Sequence, residues 1–543
     1  MDIPLLITNF NLGVDSLRFG ASSTGLTARQ LGLLRFLDYG GATGAIDASG
    51  FVTPLSYALT DAPSASQVYP RNRQTGRAVV AYRGAVSSPT YDSLLLQVTR
   101  NGVAYTNVTQ ALVFSNGLAA FNLSASILAE LANYGFTLYL RAGASQYQIA
   151  AAANVVAGDA YLINGQSNAE AISYSGSANA NQHSFLRSFG APAASAVGTT
   201  ADLAWHQAIG DTRYGSGMVG QWGLKFGRLL LDTYQIPIAI INAAEPGKPI
   251  TYFQRNDAIP ADLGTNYGRL LYRVQRAILW YQGESDWGAG AAQHESGFLA
   301  VYQRWLADYP GLERVYVHQL REVPVLSAWT DGLDLRNRQR LFQRNYGNIS
   351  VMSTTGIDAY GLSSWHYAYT GGYELIGIHI FKLVACDLYG GQSANVEAPD
   401  TLYACFNNAT HDEIALVMRN TTDTLVWGAG SQADFAVNGV AGAPIGGAAS
   451  NNAVILKLSS PVSYGATVSY AGHAATVAPW VTNAAGVGLL AFYNVPVTAP
   501  QPLSSPRLTA SPSTSPGNVT LSFGTVQGRF YSVEYCTDLA AHD

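Results

Sequence analysis

Five short apolar runs, at 161–164, 237–242, 278–282, 314–319 and 349–353, alternate with stretches of helical periodicity at 220–234, 267–276, 291–309 and 331–346. No other feature constrains the fold as strongly. Runs that are apolar at almost every position, not at every second one, read as strands covered on both faces. Strands that each hand over to a helix cannot return by a hairpin, so they pair in parallel through right-handed crossovers. The reading is an α/β domain over 153–395 with a flavodoxin-like, three-layer α/β/α arrangement, closed by a helix-like run at 370–389.

The flanks follow another pattern. At 543 residues the chain exceeds one hydrophobic core. Residues 66–152 carry short alternating runs such as Ala78–Tyr82 and Leu94–Thr99, and Arg100-Asn101-Gly102 reads as a hairpin turn. Together these predict a β-sandwich over 66–152, and similar patterning predicts a second over 396–495. Residues 1–65 are rich in Gly, Ser and Thr, with one helix-like patch at 27–37, and form an unassigned N-terminal segment. The region 496–543 reads as a Pro/Ser/Thr linker followed by strands at 518–523 and 529–535. One hairpin is too little to fold alone, so this end is expected to cut a further domain short.

Composition excludes several functions. Apolar residues make up 48% and charged residues 12%, so the chain is not disordered. A net charge of −5, without a Lys/Arg run, argues against nucleic-acid binding. No stretch of about twenty apolar residues suggests a membrane span. Cys386, Cys405 and Cys536 make an odd count and read as thiols. The nine histidines form no H-x-x-x-H pair and no Cys-x-x-Cys occurs, so neither a metal nor a cofactor is expected. The start, Met1-Asp2-Ile3-Pro4, lacks a basic leader. The expectation is a secreted or periplasmic protein whose leader is absent from this chain, with a cytoplasmic location left open.

The chemistry lies at the strand ends. The run Ala160–Ile163 leads into Gly165-Gln166-Ser167-Asn168, placing a serine at the carboxyl end of a parallel strand and beside a helix N-terminus. Open α/β sheets hold their sites there, and free N–H groups at such a turn can hold an oxyanion. Downstream, 240–250 is an apolar strand ending in a glycine turn. The segment Leu279-Trp280-Tyr281-Gln282-Gly283-Glu284-Ser285-Asp286 is another strand and turn, and Ser363-Ser364-Trp365-His366 precedes the last helical run.

This ordered set resembles the SGNH hydrolase superfamily, and within it the sialate O-acetylesterase-like carbohydrate acetylesterases, over roughly 155–392. The resemblance implies a serine esterase acting on an acetylated carbohydrate, with Ser167 as nucleophile and His366 as base. It adds the Gly247 backbone N–H and the Gln282 side-chain amide to the Ser167 N–H as oxyanion donors, and gives Glu284 a bracing role beside the nucleophile turn. Gln166 and Asn168 support that turn. Trp365 and Trp287 are candidate substrate platforms, and Lys248 reads as a solvated charge. One departure stands out: Ser363 occupies the position where the family carries the Asp of D-x-x-H. Either Asp358 supplies the acid or a Ser–His dyad works without one. Two other readings remain, a lipid or synthetic short-chain ester hydrolase and a catalytically inactive polysaccharide-binding protein.

Overall fold

The structure is a computed structural model describing residues 57–190, 200–271, 276–287, 290–322, 330–357, 364–473 and 480–499, with the backbone of short strands at 44–46, 52–54, 509–512 and 519–522. The chain divides into two compact units, one built mainly from residues up to Asp159 and the other mainly from Ala160 onward.

In the first unit, Tyr57–Asp61, Arg77–Val86 and Ala119–Leu128 form one antiparallel sheet. Ser93–Arg100 pairs with Val103–Ala111 and Tyr134–Ala142 in a second ladder. Alternate residues face a shared core, Val80 and Tyr82 from the first and Leu94, Leu96, Leu138 and Leu140 from the second. The turn at Asn101-Gly102 has φ of 49° and 79°, the left-handed pair that lets a two-residue hairpin follow the strand twist.

The second unit is centred on five strands: β1 (Ser145–Gly165, whose final residues belong here), β2 (Ile238–Asn242), β3 (Ala277–Tyr281), β4 (Arg314–His318) and β5 (Ile349–Met352). Their order is β2-β1-β3-β4-β5, and β1–β3, β3–β4 and β4–β5 pair in parallel. Helices α1 (Ser167–Glu170), α2 (Gln221–Tyr234), α3 (Asn266–Leu270), α4 (Ala291–Asp308), α5 (Thr330–Asn345) and α6 (Glu374–Tyr389) intervene or follow. The strands lie where the apolar runs predict them. The helix expected over 267–276 is short, and Thr265 caps it by accepting the Gly268 N–H at 2.9 Å.

Both faces of the sheet are covered. Leu162, Ile278, Trp280, Val315, Val317 and Val351 pack with Phe298 and Trp305 of α4 and Phe342 of α5. On the alternate residues, Tyr161 meets Phe226 of α2 edge-on at 5.1 Å and its hydroxyl lies 2.6 Å from that of Tyr389 on α6. β2 is laid down on one side of β1 and β3 on the other, so the order of succession switches at β1 and β3, which makes the crevice at their carboxyl ends the place for a ligand.

Beyond α6 a seven-stranded sheet follows, with its own core around Leu416, Val454, Leu456, Val468 and Phe492. It is joined to the parallel sheet by polar contacts. Gln319 exchanges two hydrogen bonds with the backbone of Ala491, at 2.8 and 2.9 Å. Asp400, 1% exposed, accepts from Arg340 at 2.8 Å, from Arg344 at 2.6 Å and from Gln343 at 3.0 Å. The strand Phe492–Thr498 crosses the boundary expected at 495/496. Val519–Ser522 pairs with Thr509–Pro512 in an antiparallel ladder. The expected helical patch at 27–37 and strand at 529–535, like Cys536, lie outside the described residues. Cys386 and Cys405 are not bridged to each other.

Candidate active site

The site starts from a close approach of backbones. Gly165, the last residue of β1, has φ +133°, and a Cβ there would stand 2.1 Å from the Tyr281 carbonyl oxygen of β3. Only glycine lets the strand end this near its neighbour. Gln166 then donates its N–H to Tyr281 O at 3.0 Å, and its side-chain oxygen accepts the N–H groups of Gly283 and Ser285 at 3.3 and 3.2 Å. Ser167 follows as the first residue of α1.

Asn168 ties this turn to the other motifs. Its amide donates to Glu284 Oε1 at 2.7 Å and to the Trp365 carbonyl at 2.9 Å. Its side-chain oxygen accepts the Tyr373 hydroxyl at 3.0 Å, and its backbone carbonyl accepts the Trp222 indole N–H at 2.8 Å. The expected brace between Glu284 and the nucleophile turn therefore runs through the Asn168 side chain. Burial pushes the Glu284 carboxyl up to about 7, against the opposing pull of the Asn168 hydrogen bond.

His366 Nε2 lies 2.9 Å from Ser167 Oγ. Tyr174 stacks on the imidazole at 4.1 Å between centroids and 11° between planes. Arg213 reaches the same cavity while holding the buried Glu170 through two bonds of 2.7 and 2.8 Å. The cavity measures about 360 Å³, and Ser167, Tyr174, Arg213, Gly247, Trp365 and His366 line it. The Gly247 turn has φ +68°. Its N–H and that of Ser167 make no backbone hydrogen bond among the described residues, which leaves both available to a ligand.

Two expected residues stand elsewhere. The Gln282 side chain is fully buried and donates to Asp286 Oδ2 at 2.8 Å and to the Lys248 carbonyl at 3.3 Å. It lies under the Gly247 turn, off the cavity lining. Asp286 secures the same turn by accepting the Ile250 N–H at 3.0 Å, and His294 Nδ1 meets it at 2.9 Å. Trp287 is 4% exposed and packs edge-on beneath Trp365 at 5.6 Å, so it supports the platform without forming it. The Lys248 ammonium sits 5.0 Å over the Tyr252 ring.

Asp358 and Ser363 lie outside the described residues. Among those described, no carboxylate is hydrogen-bonded to His366, and no group of three or more His, Cys, Asp or Glu side chains could hold a metal. Nor is any described helix long and apolar enough to cross a membrane. Sequence reasoning missed Tyr174, Arg213, Glu170 and Tyr373; they lie in segments without a motif, and only the fold brings them in.

Burial, aided by the Arg213 charge, lowers His366 to about 4 from the ordinary 6.5. A base must be neutral to accept a proton, so a lowered value extends its working range toward acid. The acid limb of kcat/KM on p-nitrophenyl acetate is expected near pH 4. A limb at or above the ordinary histidine value would contradict this electrostatic picture.

Residues 157–362 match the family described as carbohydrate esterase, sialic acid-specific acetylesterase. Among solved structures, the chain is similar to a carbohydrate acetylesterase from Xanthomonas citri, with 18% identity and a TM-score of 0.57 over 80% of this chain and 99% of that one. A protein from Arabidopsis thaliana aligns at 16% identity over 42% of this chain and 98% of its own, with a TM-score of 0.33. A family two carbohydrate esterase from Clostridium thermocellum, solved with cellohexaose, aligns at 11% identity and a TM-score of 0.25, covering 58% of this chain and 93% of its own. No curated protein matches the chain.

Proposed function

We propose, from the match of residues 157–362 to the carbohydrate esterase family, that this chain is a carboxylic ester hydrolase that removes O-acetyl groups from a carbohydrate through an acetyl-enzyme on Ser167. The observation that carries the reading is the 2.9 Å approach of His366 Nε2 to Ser167 Oγ at the wall of the cavity. Ser167 Oγ attacks the acetyl carbonyl while His366 takes its proton. The carbonyl oxygen, now negative, is held by the N–H groups of Ser167 and Gly247. The tetrahedral intermediate collapses, the sugar oxygen leaves with the proton from His366, and acetyl stays on the serine. A water molecule, deprotonated by the same imidazole, then releases acetate.

In this reading 153–395 is an SGNH catalytic domain of three-layer form, flanked by β-sandwich modules over 66–152 and 396–495, and the protein works outside the cytoplasm. Gln282 serves the oxyanion site from below, by holding the turn that carries Gly247. Asp358 stays a candidate for the acid behind His366, and a Ser–His dyad is its alternative. Trp365 offers the sugar a ring face at the cavity.

The test is to quench the enzyme during turnover of p-nitrophenyl acetate and weigh its peptides. Acetyl on the peptide containing Ser167, with an initial burst of nitrophenol, is the expected result. Rates should fall steeply from acetyl to hexanoyl esters, and acetylated oligosaccharides should release acetate. Steady hexanoyl turnover would favour a lipid or synthetic-ester substrate. No acetylated peptide and no turnover would leave the polysaccharide-binding reading.

A further inference from the structure

We infer that Tyr174 is the positioning residue of the catalytic base: its ring, lying face to face with the His366 imidazole, keeps Nε2 directed at Ser167 Oγ. The inference rests on His366 being the base. Three observations support it. The stack is close and nearly parallel, at 4.1 Å and 11°, so the imidazole cannot swing about its χ2 bond without striking the phenol ring. The Ser167 contact is made at one ring nitrogen only, which by itself leaves the plane free to rock about that hydrogen bond. Finally, the chain on both sides of Tyr174 is fastened.

Ser173 donates its N–H to the Asp211 carbonyl at 3.1 Å, and its hydroxyl donates to Gly176 O at 2.6 Å. Ser175 O accepts the Tyr369 N–H at 2.8 Å, and Gln221 donates to Gly176 O at 3.0 Å. Gly176, at φ +77°, approaches so closely that a Cβ there would stand 3.2 Å from Tyr369 Cβ. Tyr369 follows His366 by three residues, so one hydrogen-bonded frame carries both rings. The stack is thus a built feature and not an incidental touch between two loops.

The ring also strips water from one face of the imidazole. Among the described residues, the charged and titratable groups around that base are Arg213, with its partner Glu170, the Glu284 carboxyl across the cavity and the Tyr174 hydroxyl itself. Desolvation is the leading cause of the low His366 value, with the Arg213 charge second, and Tyr174 is the aromatic face applied to it.

The experiment compares Tyr174→Ala, Tyr174→Leu and Tyr174→Phe, measuring kcat, KM and the acid limb of kcat/KM on p-nitrophenyl acetate. Alanine is expected to lower kcat roughly tenfold to a hundredfold with KM little changed, since a small misplacement of a reacting group has that effect. It should also move the acid limb up from about 4 toward 6.5 as water reaches the imidazole. Leucine, which fills the space without a flat face, should lose kcat as alanine does while keeping the limb low. Phenylalanine should recover most of both. An unmoved limb in the alanine variant, leucine as active as the parent, or phenylalanine as poor as alanine would each overturn the assignment. Ser167→Ala runs alongside: activity surviving it removes the serine mechanism, whereas a dead Ser167→Ala beside an unaffected Tyr174→Ala removes only the role of Tyr174.

Discussion

Alanine at position 167 is expected to lower kcat on p-nitrophenyl acetate by roughly 10⁴- to 10⁶-fold, with KM nearly unchanged. In the proposed mechanism the serine makes the bond that defines the acetyl-enzyme. Ser285, hydrogen-bonded by the Gln166 side chain at 3.3 Å, belongs to the turn after β3, and it is the Ser167 hydroxyl that meets His366. The remaining rate would come from the Ser167 and Gly247 N–H groups acting on a bound ester attacked by water. Loss of the hydroxyl leaves the packing of α1 intact, because Ala169 and Glu170 still donate to the Gln166 carbonyl at 2.9 Å each. The variant should therefore fold and bind substrate. Steady-state rates with a burst assay are the measurement; a fall of less than tenfold would mean that the nucleophile is not Ser167.

The largest effect on stability is expected far from the cavity, at Asp400. Exchange to asparagine should cost about 3–5 kcal/mol, the usual penalty for breaking a buried ion pair from one side. Arg340 and Arg344 both turn their guanidinium groups onto this carboxylate, and Arg340 is only 3% exposed. Removing the negative charge leaves these two cations close together with little water to shield them, and Arg419, whose Nε lies 3.6 Å from the carboxylate, adds a third. Burial alone would raise the Asp400 carboxyl, but the charges of Arg340 and Arg344 outweigh it and hold the group below the ordinary 3.8. Its contribution is accordingly complete above about that pH and fades as pH falls through the lower folded value. The urea midpoint of Asp400→Asn should lie well below the parent's by a constant margin at neutral and mildly acidic pH, and the gap should close only in strong acid. A variant matching the parent at neutral pH would show that water, not the carboxylate, satisfies the arginines.

Where the sequence carried a pattern, it was informative. Runs such as Ile238–Asn242 and Ala277–Tyr281, buried at every position, announce strands because a two-sided sheet admits no polar alternation. Ser167 and His366 were legible because a strand-end serine and a late histidine fall in the order the resemblance requires. Gln282 was not legible in its direction: an amide next to a strand end can face the ligand or the neighbouring turn, and here Asp286 draws it down. Trp287 reads like Trp365 as a loop aromatic, yet Gly332 leaves room for its ring inside, where an added Cβ would come within 2.0 Å of it. Arg213 and Glu170 lie 43 residues apart with no periodicity linking them, so only the folded chain reveals the pair.

Asn168 receives or gives one hydrogen bond with each of four distant stretches, at Trp222, Glu284, Trp365 and Tyr373. Two of these partners therefore share a single inheritance with it. Trp365 offers only its carbonyl and Trp222 takes only the carbonyl of Asn168, whereas Glu284 and Tyr373 meet the two ends of the Asn168 amide with their side chains. A lineage that exchanged one of Asn168, Glu284 and Tyr373 would have to adjust the others with it. In descendants of this chain that gave up the chemistry, that constraint would lapse, and Asn168, Glu284 and Tyr373 would be free to diverge together while the sheet beneath them kept its shape.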